Sequence, residues 1–182
     1  MFNTNEKGGW IIPAETAVAS GTHIPDCTEI GDDCNIGDDC KIGRYCKIGR
    51  YCKIGRYCKI GDGCNIGDDC NIGDDCKIGN DCNIGNDCNI GDDCKIAEGC
   101  NIAEGCRIGD GCVWLGVVVK SWLTLANVDG SNRQVKIVRA TDDQIKIEAG
   151  CFQGSLAEFI ARAKVEGKLR YVSILSAIVE HV

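Results

Sequence analysis

The sequence predicts a mainly β protein in which a solenoid is followed by a small α+β domain, and three observations support this. Fourteen cysteines stand six residues apart from Cys34 to Cys112, and in almost every repeat an isoleucine lies two residues after the cysteine. A glycine and two polar residues complete most of these hexads. After Cys112 the period ends and the composition changes. A short, fixed period over this length is typical of a repeat fold.

The alternation within each hexad predicts which side chains face inward. Residues 34–39 read Cys-Asn-Ile-Gly-Asp-Asp, so the cysteine and the isoleucine lie on one face of a short strand and the asparagine on the other. The glycine and the two polar residues then turn the chain. We expect the inward ladder to form the core, with these residues as examples: Cys34, Cys52, Cys70, Cys88, Cys106, Ile36, Ile54, Ile72 and Ile90.

The motif of an aliphatic residue, Gly, two variable residues, a small residue and one more variable residue runs from Ile12 to Trp114. It resembles the hexapeptide-repeat family, the bacterial transferase hexapeptide superfamily. The resemblance implies a left-handed parallel β-helix of triangular section, with three hexads per coil and about six 18-residue coils. We therefore expect a β-helix with an N-terminal cap over residues 1–114, in which residues 8–13 form an apolar plug, and an α+β domain over residues 115–182.

The charges provide an independent test of an 18-residue coil. Arg44, Arg50 and Arg56 come from three successive copies of the unit Gly-Arg-Tyr-Cys-Lys-Ile and would occupy the three corners of one coil. Eighteen residues before and after each arginine stands an aspartate. The predicted pairs are Asp26 and Asp62 for Arg44, Asp32 and Asp68 for Arg50, and Asp38 and Asp74 for Arg56. Lys41, Lys59, Lys77 and Lys95 would likewise form one column.

The cysteines allow a packing role or a metal and redox role, and their spacing favours packing. Zinc sites use closely spaced pairs that converge on one point, whereas here five residues always intervene. A buried free cysteine behaves as a small hydrophobic residue, which suits the inward position. Cys27 precedes the inward Thr28 and falls on a corner, so it is the candidate exposed thiol. Cys151 lies outside the solenoid.

The stacked carboxylates allow a calcium site or a purely structural role. Asp69 would lie above Asp87, and Asp75 above Asp93, so that their oxygens could hold Ca²⁺. Aspartate, asparagine and glycine also suit tight turns and keep a surface soluble. We favour the structural interpretation and predict no metal and no cofactor.

The region after Trp114 predicts a small sheet covered by two helices. Strands are expected at 121–128, 134–140 and 144–149, with turns at Asp129-Gly130 and 141–143. Ser155 and Glu158 form a capping-box pattern that opens a helix. Its apolar face comprises Leu156, Phe159, Ile160 and Ala163, and a second amphipathic segment spans 169–182. Residues 149–159 look like a tail segment of bacteriophage-encoded proteins.

Charge and composition limit location and partners. The net charge is −7, and residues 31–112 hold 16 acidic against 10 basic side chains. Such an acidic surface argues against direct nucleic-acid binding. The sequence shows no secretory signal and no apolar run that could span a membrane. Sixteen cysteines without an export signal predict a reducing cytoplasm, with association with a virus particle as the alternative.

Many relatives by this resemblance are trimeric acyltransferases that use a histidine base at a cleft between subunits. Here His23 is the candidate base on an outward position, and His181 lies next to the end of the chain. No loop interrupts the repeats between Ile30 and Cys112, so nothing builds an acceptor pocket. The sequence thus favours a non-enzymatic, self-associating scaffold or spacer. We expect this scaffold to be a homo-oligomer, and the family resemblance implies a trimer. We expect its C-terminal domain to bind a protein partner. The alternatives are an acetyl-CoA-type acyltransferase and an acidic rod that binds a basic partner or mimics nucleic acid.

Overall fold

A computed structural model describes residues 2–126, 134–150 and 152–179. The chain divides into two compact units, Met1–Trp114 and Leu115–Val182. The first unit is a parallel β-solenoid of about six turns, and the second contains strands and two helices. No helix in the described ranges is long and apolar enough to cross a membrane.

Three parallel sheets form the walls of the solenoid, and most of their strands contain two residues. Wall A consists of β2 (Trp10–Ile12), β5 (Glu29–Ile30), β8 (Lys47–Ile48), β11 (Asn65–Ile66), β14 (Asn83–Ile84) and β17 (Asn101–Ile102). Wall B consists of β3 (Ala17–Val18), β6 (Asn35–Ile36), β9 (Lys53–Ile54), β12 (Asn71–Ile72), β15 (Asn89–Ile90) and β18 (Arg107–Ile108). Wall C consists of β4 (His23–Ile24), β7 (Lys41–Ile42), β10 (Lys59–Ile60), β13 (Lys77–Ile78), β16 (Lys95–Ile96) and β19 (Val113–Trp114).

The register confirms the 18-residue coil. Lys59 is opposite Lys77 and Ile60 is opposite Ile78, and the same step of 18 relates all neighbouring strands within the three walls. Each coil donates main-chain hydrogen bonds to the coil before it, as from the Lys59 N–H to the Cys40 oxygen at 2.9 Å. Two-residue strands are therefore stable here because every coil is bonded to its neighbours, not because a single strand is long.

The inward ladder is the core of the first unit, as predicted. Ile36, Ile54, Ile72 and Ile90 are at most 3% exposed, and so are Cys34, Cys52, Cys70 and Cys88. Trp114 is fully buried at the end of the series. Cys106 was also predicted to be core, but it lies in the last turn of its column and is only partly buried.

The N-terminal plug is built from a short antiparallel hairpin. β1 (Asn3–Thr4) pairs with β2, and the Phe2 ring lies 5.5 Å from the Trp10 ring. The Asn5 side-chain amide donates to the Cys27 oxygen at 2.8 Å, which ties the hairpin to the first coil. Within the predicted plug Ile12 is buried, but Ile11 is 41% exposed.

The glycine after each inward isoleucine is required by a close approach between coils. A Cβ on Gly67 would lie 2.7 Å from the Gly49 carbonyl carbon, and similar clashes arise at the other glycines of this repeat position. Ala97 and Ala103 are the exceptions. Their N–H···O bonds to the coil before are 3.0 Å long, against 2.7–2.9 Å for the glycines at the same position. The neighbouring bond from the Asn101 N–H to the Cys82 oxygen keeps the usual 2.9 Å, so the two methyl groups are accommodated locally.

The second unit is a four-stranded antiparallel sheet with two helices. Its elements are β20 (Val117–Ala126), β21 (Gln134–Ala140), β22 (Ile145–Ala149), β23 (Phe152–Ser155), α1 (Leu156–Val165) and α2 (Leu169–Val179). The first strand begins four residues before the predicted start at Ser121, and β23 was not predicted. Its sequence, Phe-Gln-Gly-Ser, lacks the run of β-branched residues by which strands are recognised. The predicted turn at Asp129-Gly130 lies outside the described residues.

The helices cover the sheet, as the amphipathic pattern predicted. Ser155 caps α1 with the full capping box, and Phe159 and Ala163 are buried on its inner face. The common core comprises Val135, Ile137, Ile147, Phe159, Ala163, Tyr171 and Leu175. Lys136 and Glu148 form a cross-strand ion pair at 2.5 Å with both side chains largely buried.

We predict that Gly67→Ala lowers the free energy of unfolding by about 1–3 kcal/mol, because the new methyl group meets backbone that cannot rotate away. Chemical denaturation followed by circular dichroism measures the change. Ala103→Gly is the matched control at the same repeat position, and it should cost less than about 1 kcal/mol. Equal destabilisation by the two variants would show that the contact between coils does not require glycine.

Candidate functional site

The buried thiols are hydrogen-bonded, which sequence reasoning did not foresee. All fourteen cysteines of the ladder donate S–H to a main-chain oxygen 21 residues earlier, at 3.0–3.3 Å. The acceptor is the residue that follows the inward aliphatic residue in the preceding coil, such as Gly31 for Cys52. Cysteine therefore fills a small inward site and also bonds a carbonyl that lies at the corner of the coil before.

Neighbouring thiols in one column also interact with each other. The thiol of Cys58 raises the pKa of Cys76 to about 12 through a hydrogen bond between them. Burial raises the pKa of Cys34. The hydrogen bond between Cys58 and Cys76 lowers the pKa of Cys58, so these two neighbours differ in pKa. Cys34 and Cys76, whose pKa is raised, are held in the protonated form, which is unreactive. No group of three or more histidine, cysteine, aspartate or glutamate side chains suited to a metal occurs among the described residues.

Cys27 differs from the ladder in position and exposure. It is the second residue of a corner, has a φ of 59° and is partly exposed. Its main-chain N–H donates to the Arg44 oxygen at 2.8 Å, so the backbone is fixed while the thiol lies at the surface. Cys151, the other cysteine outside the ladder, lies outside the described residues.

At eight corners the first residue joins successive coils through its side chain. Asp38 accepts a hydrogen bond from the Arg56 N–H at 2.8 Å, and Asp62 accepts one from the Asn80 N–H at 2.8 Å. Seven aspartate carboxylates and the Ser20 hydroxyl oxygen act in this way. The aspartates are Asp26, Asp32, Asp38, Asp62, Asp68, Asp74 and Asp92. Much of the acidic surface therefore has a structural role.

The second residue of each corner takes the left-handed backbone conformation. This position holds Asp69, Asp75, Asp87 and Asp93, with φ of 56–58° for the first three and 55° for Asp93. Aspartate tolerates this region better than most residues. The four side chains are exposed, and they were the candidate calcium ligands. The structure stacks them on two edges of the prism and does not gather them into a cage of oxygen ligands.

One coil departs from the acidic pattern. Residues 41–58 contain six basic residues, three tyrosines and no acidic residue. The arginines pair with acids of the neighbouring coils, as the 18-residue step predicted. Arg44 lies 3.7 Å from Asp26, Arg50 lies 3.6 Å from Asp68, and Arg56 lies 3.3 Å from Asp74.

The three tyrosines of this coil occupy strained and exposed positions. Tyr45, Tyr51 and Tyr57 have φ of 58–60° and are 53–63% exposed. A bulky residue in the left-handed region costs about 1–3 kcal/mol, whereas aspartate or glycine fills this position in most other coils. The Tyr45 ring lies against Gly63 of the next coil, so some apolar contact offsets the strain.

The outward residues distinguish the walls from one another. On wall A, Asn101, Asn83 and Asn65 form an amide ladder with bonds of 3.0 Å, and on wall B Asn89 donates to Asn71 at 3.1 Å. Wall C instead carries the lysine column, which comprises Lys41, Lys59, Lys77 and Lys95. Walls A and B are thus neutral where they carry these asparagines, and wall C is cationic from Lys41 to Lys95.

His23, the candidate base, lies at the start of wall C. It is exposed and directly opposite Lys41 in the neighbouring strand. The structure places it on a flat wall rather than in a cleft. A cavity of about 40 Å³ is lined by second-unit residues, among them Phe152, Phe159 and Arg162. His181 lies outside the described residues.

The side-chain bond at the corners predicts a specific effect of mutation. Asp38→Ala should lower the free energy of unfolding by about 1 kcal/mol, because the Arg56 N–H loses its acceptor. Asp38→Asn is the matched control and should retain more than half of that stability, since its side-chain oxygen still accepts. If both variants lose the same stability in denaturant titrations, the charge matters and the hydrogen bond does not.

The thiol geometry predicts which cysteines react. In the folded protein a brief pulse of iodoacetamide should label Cys27 ahead of Cys52, Cys70 and Cys88, because only the first has a thiol at the surface. Peptide mass spectrometry measures the label at each site. Denatured protein is the control, in which all sites should react at similar rates. Labelling of the ladder at the rate of Cys27 would contradict a tightly packed core.

The comparisons agree with this architecture. The GMPPB C-terminal domain family, which has a left-handed β-helix fold, matches residues 10–136, more than half of the 182-residue chain. No curated protein and no solved structure shows a significant match. A relation to bacteriophage proteins finds no support. With its hexad repeats, its three parallel walls and this match, the chain belongs to the GMPPB C-terminal domain family, a transferase hexapeptide-type β-solenoid.

Proposed function

We propose that this chain is a non-enzymatic structural protein whose solenoid is a rigid, self-associating scaffold or spacer. The observation that carries the proposal is the unbroken bonding between coils. Main-chain bonds, the thiol bonds and the corner carboxylates all join one coil to the next. Such a stack resists bending because a bend must lengthen many of these bonds together.

The chemistry of the surface supports the same proposal. General base catalysis needs a base within hydrogen-bonding reach of a bound substrate. His23 lies on a flat wall beside Lys41 and has no enclosing loop within the repeats. Rigid walls that carry regular amide and lysine columns are better suited to contact another protein surface than to enclose a small molecule.

The state of the ladder cysteines suggests where the scaffold works. All of them donate S–H groups and are therefore present as thiols, and a reducing compartment keeps cysteines in this state. We therefore propose that the scaffold works in the cytoplasm, or in a particle that is assembled there. The second unit, with its own core, is the part that we propose to dock a protein partner.

Family membership favours one alternative, a hexapeptide-type acyltransferase with His23 as its base. The two functions make opposite predictions for a thermal-shift assay with acetyl-CoA. The enzyme requires an increase in melting temperature that is lost in His23→Ala. The scaffold requires no increase in either protein.

The scaffold predicts assembly of the purified chain. Light scattering coupled to size-exclusion chromatography should give a mass that is a multiple of 19.5 kDa at low ionic strength. Because exposed charges contribute to the contact, assembly should weaken as salt is raised. A strict monomer at all concentrations, together with protection by acetyl-CoA, would contradict the scaffold and favour the enzyme.

A further inference from the structure

The ladder thiols form three columns along the inside of the solenoid, one for each wall. The column of wall B, which we call column B, consists of Cys34, Cys52, Cys70, Cys88 and Cys106. Each of these cysteines donates its S–H to the main-chain oxygen 21 residues earlier, at 3.0–3.2 Å. The side chains therefore share one orientation, and successive sulfur atoms are separated by the coil spacing of about 4.8 Å.

The last pair of column B, Cys88 and Cys106, differs from the other pairs in its access to solvent. Cys106 is partly exposed, whereas the other thirteen cysteines of the ladder are buried. Ile108, two residues further along, is also only partly buried. Wall B ends at β18, and the described residues add no further strand to it. A small ion can therefore reach this pair from the end of the wall, while the deeper pairs are sealed.

The spacing of the two sulfur atoms favours an ion between them over a bond between them. The thiols interact directly, since a hydrogen bond between them lowers the pKa of Cys88 and raises the pKa of Cys106. A disulfide would have to bring the sulfurs to about 2.05 Å, against the register that the main-chain hydrogen bonds of the two coils impose. Two metal–sulfur bonds of about 2.3 Å in a straight line span about 4.6 Å, which matches the coil spacing.

Ligand number and charge select the kind of ion. Thiolates prefer soft metals, and zinc in a structural site requires four ligands, whereas this pair offers two. The carboxylates of Asp68 and Asp87 lie close enough to act electrostatically on the two thiols. A monovalent ion such as Ag⁺ would leave a bis-thiolate with a net negative charge beside them, in a largely buried site where charge is costly. A divalent ion leaves the site neutral.

We propose that Cys88 and Cys106 form a two-coordinate site for a soft divalent cation that prefers linear geometry, of which the mercuric ion is the representative. Two metal–sulfur bonds form and two S–H bonds break, and no electron is transferred. Both protons pass to the solvent, and the Cys88 proton leaves first because its pKa is the lower of the two. The product is a neutral bis-thiolate, so the end of column B gains no charge. This site is independent of the proposed scaffold.

The experiment uses a full-length parent protein in which Cys27→Ser and Cys151→Ser remove the two cysteines outside the ladder. Mercuric chloride is added together with glutathione at the protein concentration, since glutathione competes for ions that a single sulfur holds. Native mass spectrometry should show one mercury per chain and the loss of two protons. X-ray absorption at the mercury edge should give two sulfur neighbours at about 2.3 Å. Because the folded state binds the ion, the melting temperature should rise.

Matched variants in this parent separate the pair from the rest of the core. Cys106→Ala and Cys88→Ala should each raise the dissociation constant for mercury at least about a hundredfold, because the remaining thiol then binds alone. Cys52→Ala, at a buried position of the same column, is the control and should retain one mercury per chain. Circular dichroism should show the native spectrum for each variant. Zinc chloride in place of mercuric chloride should give no bound metal.

Several results would overturn the site. They are a parent protein that binds no mercury, a bound mercury with three or more sulfur neighbours, and binding that Cys106→Ala leaves unchanged. Equal loss of mercury in Cys52→Ala would also overturn it, because binding would then depend on the intact core and not on this pair. If Cys88→Ala does not fold, Cys106→Ala and the absorption measurement on the parent protein decide the question.

Discussion

The structure depends on one constraint: each coil must stack on the next in a register of 18 residues. Strands of two residues cannot be stable alone, and their hydrogen bonds form only when the neighbouring coil is in place. Everything else follows from this stacking. Glycine follows the inward isoleucine because a Cβ would strike the coil below, and the ladder cysteines bond a carbonyl of the preceding coil.

The same constraint organises the surface. Each position of the repeat lies at the same place on a wall in every coil. A residue type that recurs at one position therefore forms a straight column of side chains. Asparagines become hydrogen-bonded ladders, corner aspartates become connections between coils, and lysines become a cationic stripe. A repeat protein thereby makes long, regular surfaces from few residue types, and such surfaces suit contact with another regular surface.

The family relation and the surface chemistry lead to different expectations. The family is a transferase hexapeptide type, yet in this chain the two histidines are His23, on an open wall, and His181, outside the described residues. Fold alone does not assign an activity. The columns of charge, the strained tyrosines on a single coil and the continuous bonding between coils are features of this chain's own sequence, and the proposed scaffold function rests on them.

The sequence by itself determined the repeat length, the inward face and the pairing of Arg44, Arg50 and Arg56 with acids 18 residues away. It did so because a strict six-residue period, with three units in each coil, specifies which residues stack on one another. It also identified α1 and its cap from local chemistry at Ser155 and Glu158. Only the tertiary structure revealed the S–H···O bonds, the corner aspartates that accept N–H groups from the next coil, and β23. These depend on distances between segments about 20 residues apart or on pairing with a neighbouring strand, and neither leaves a pattern in a local stretch of sequence.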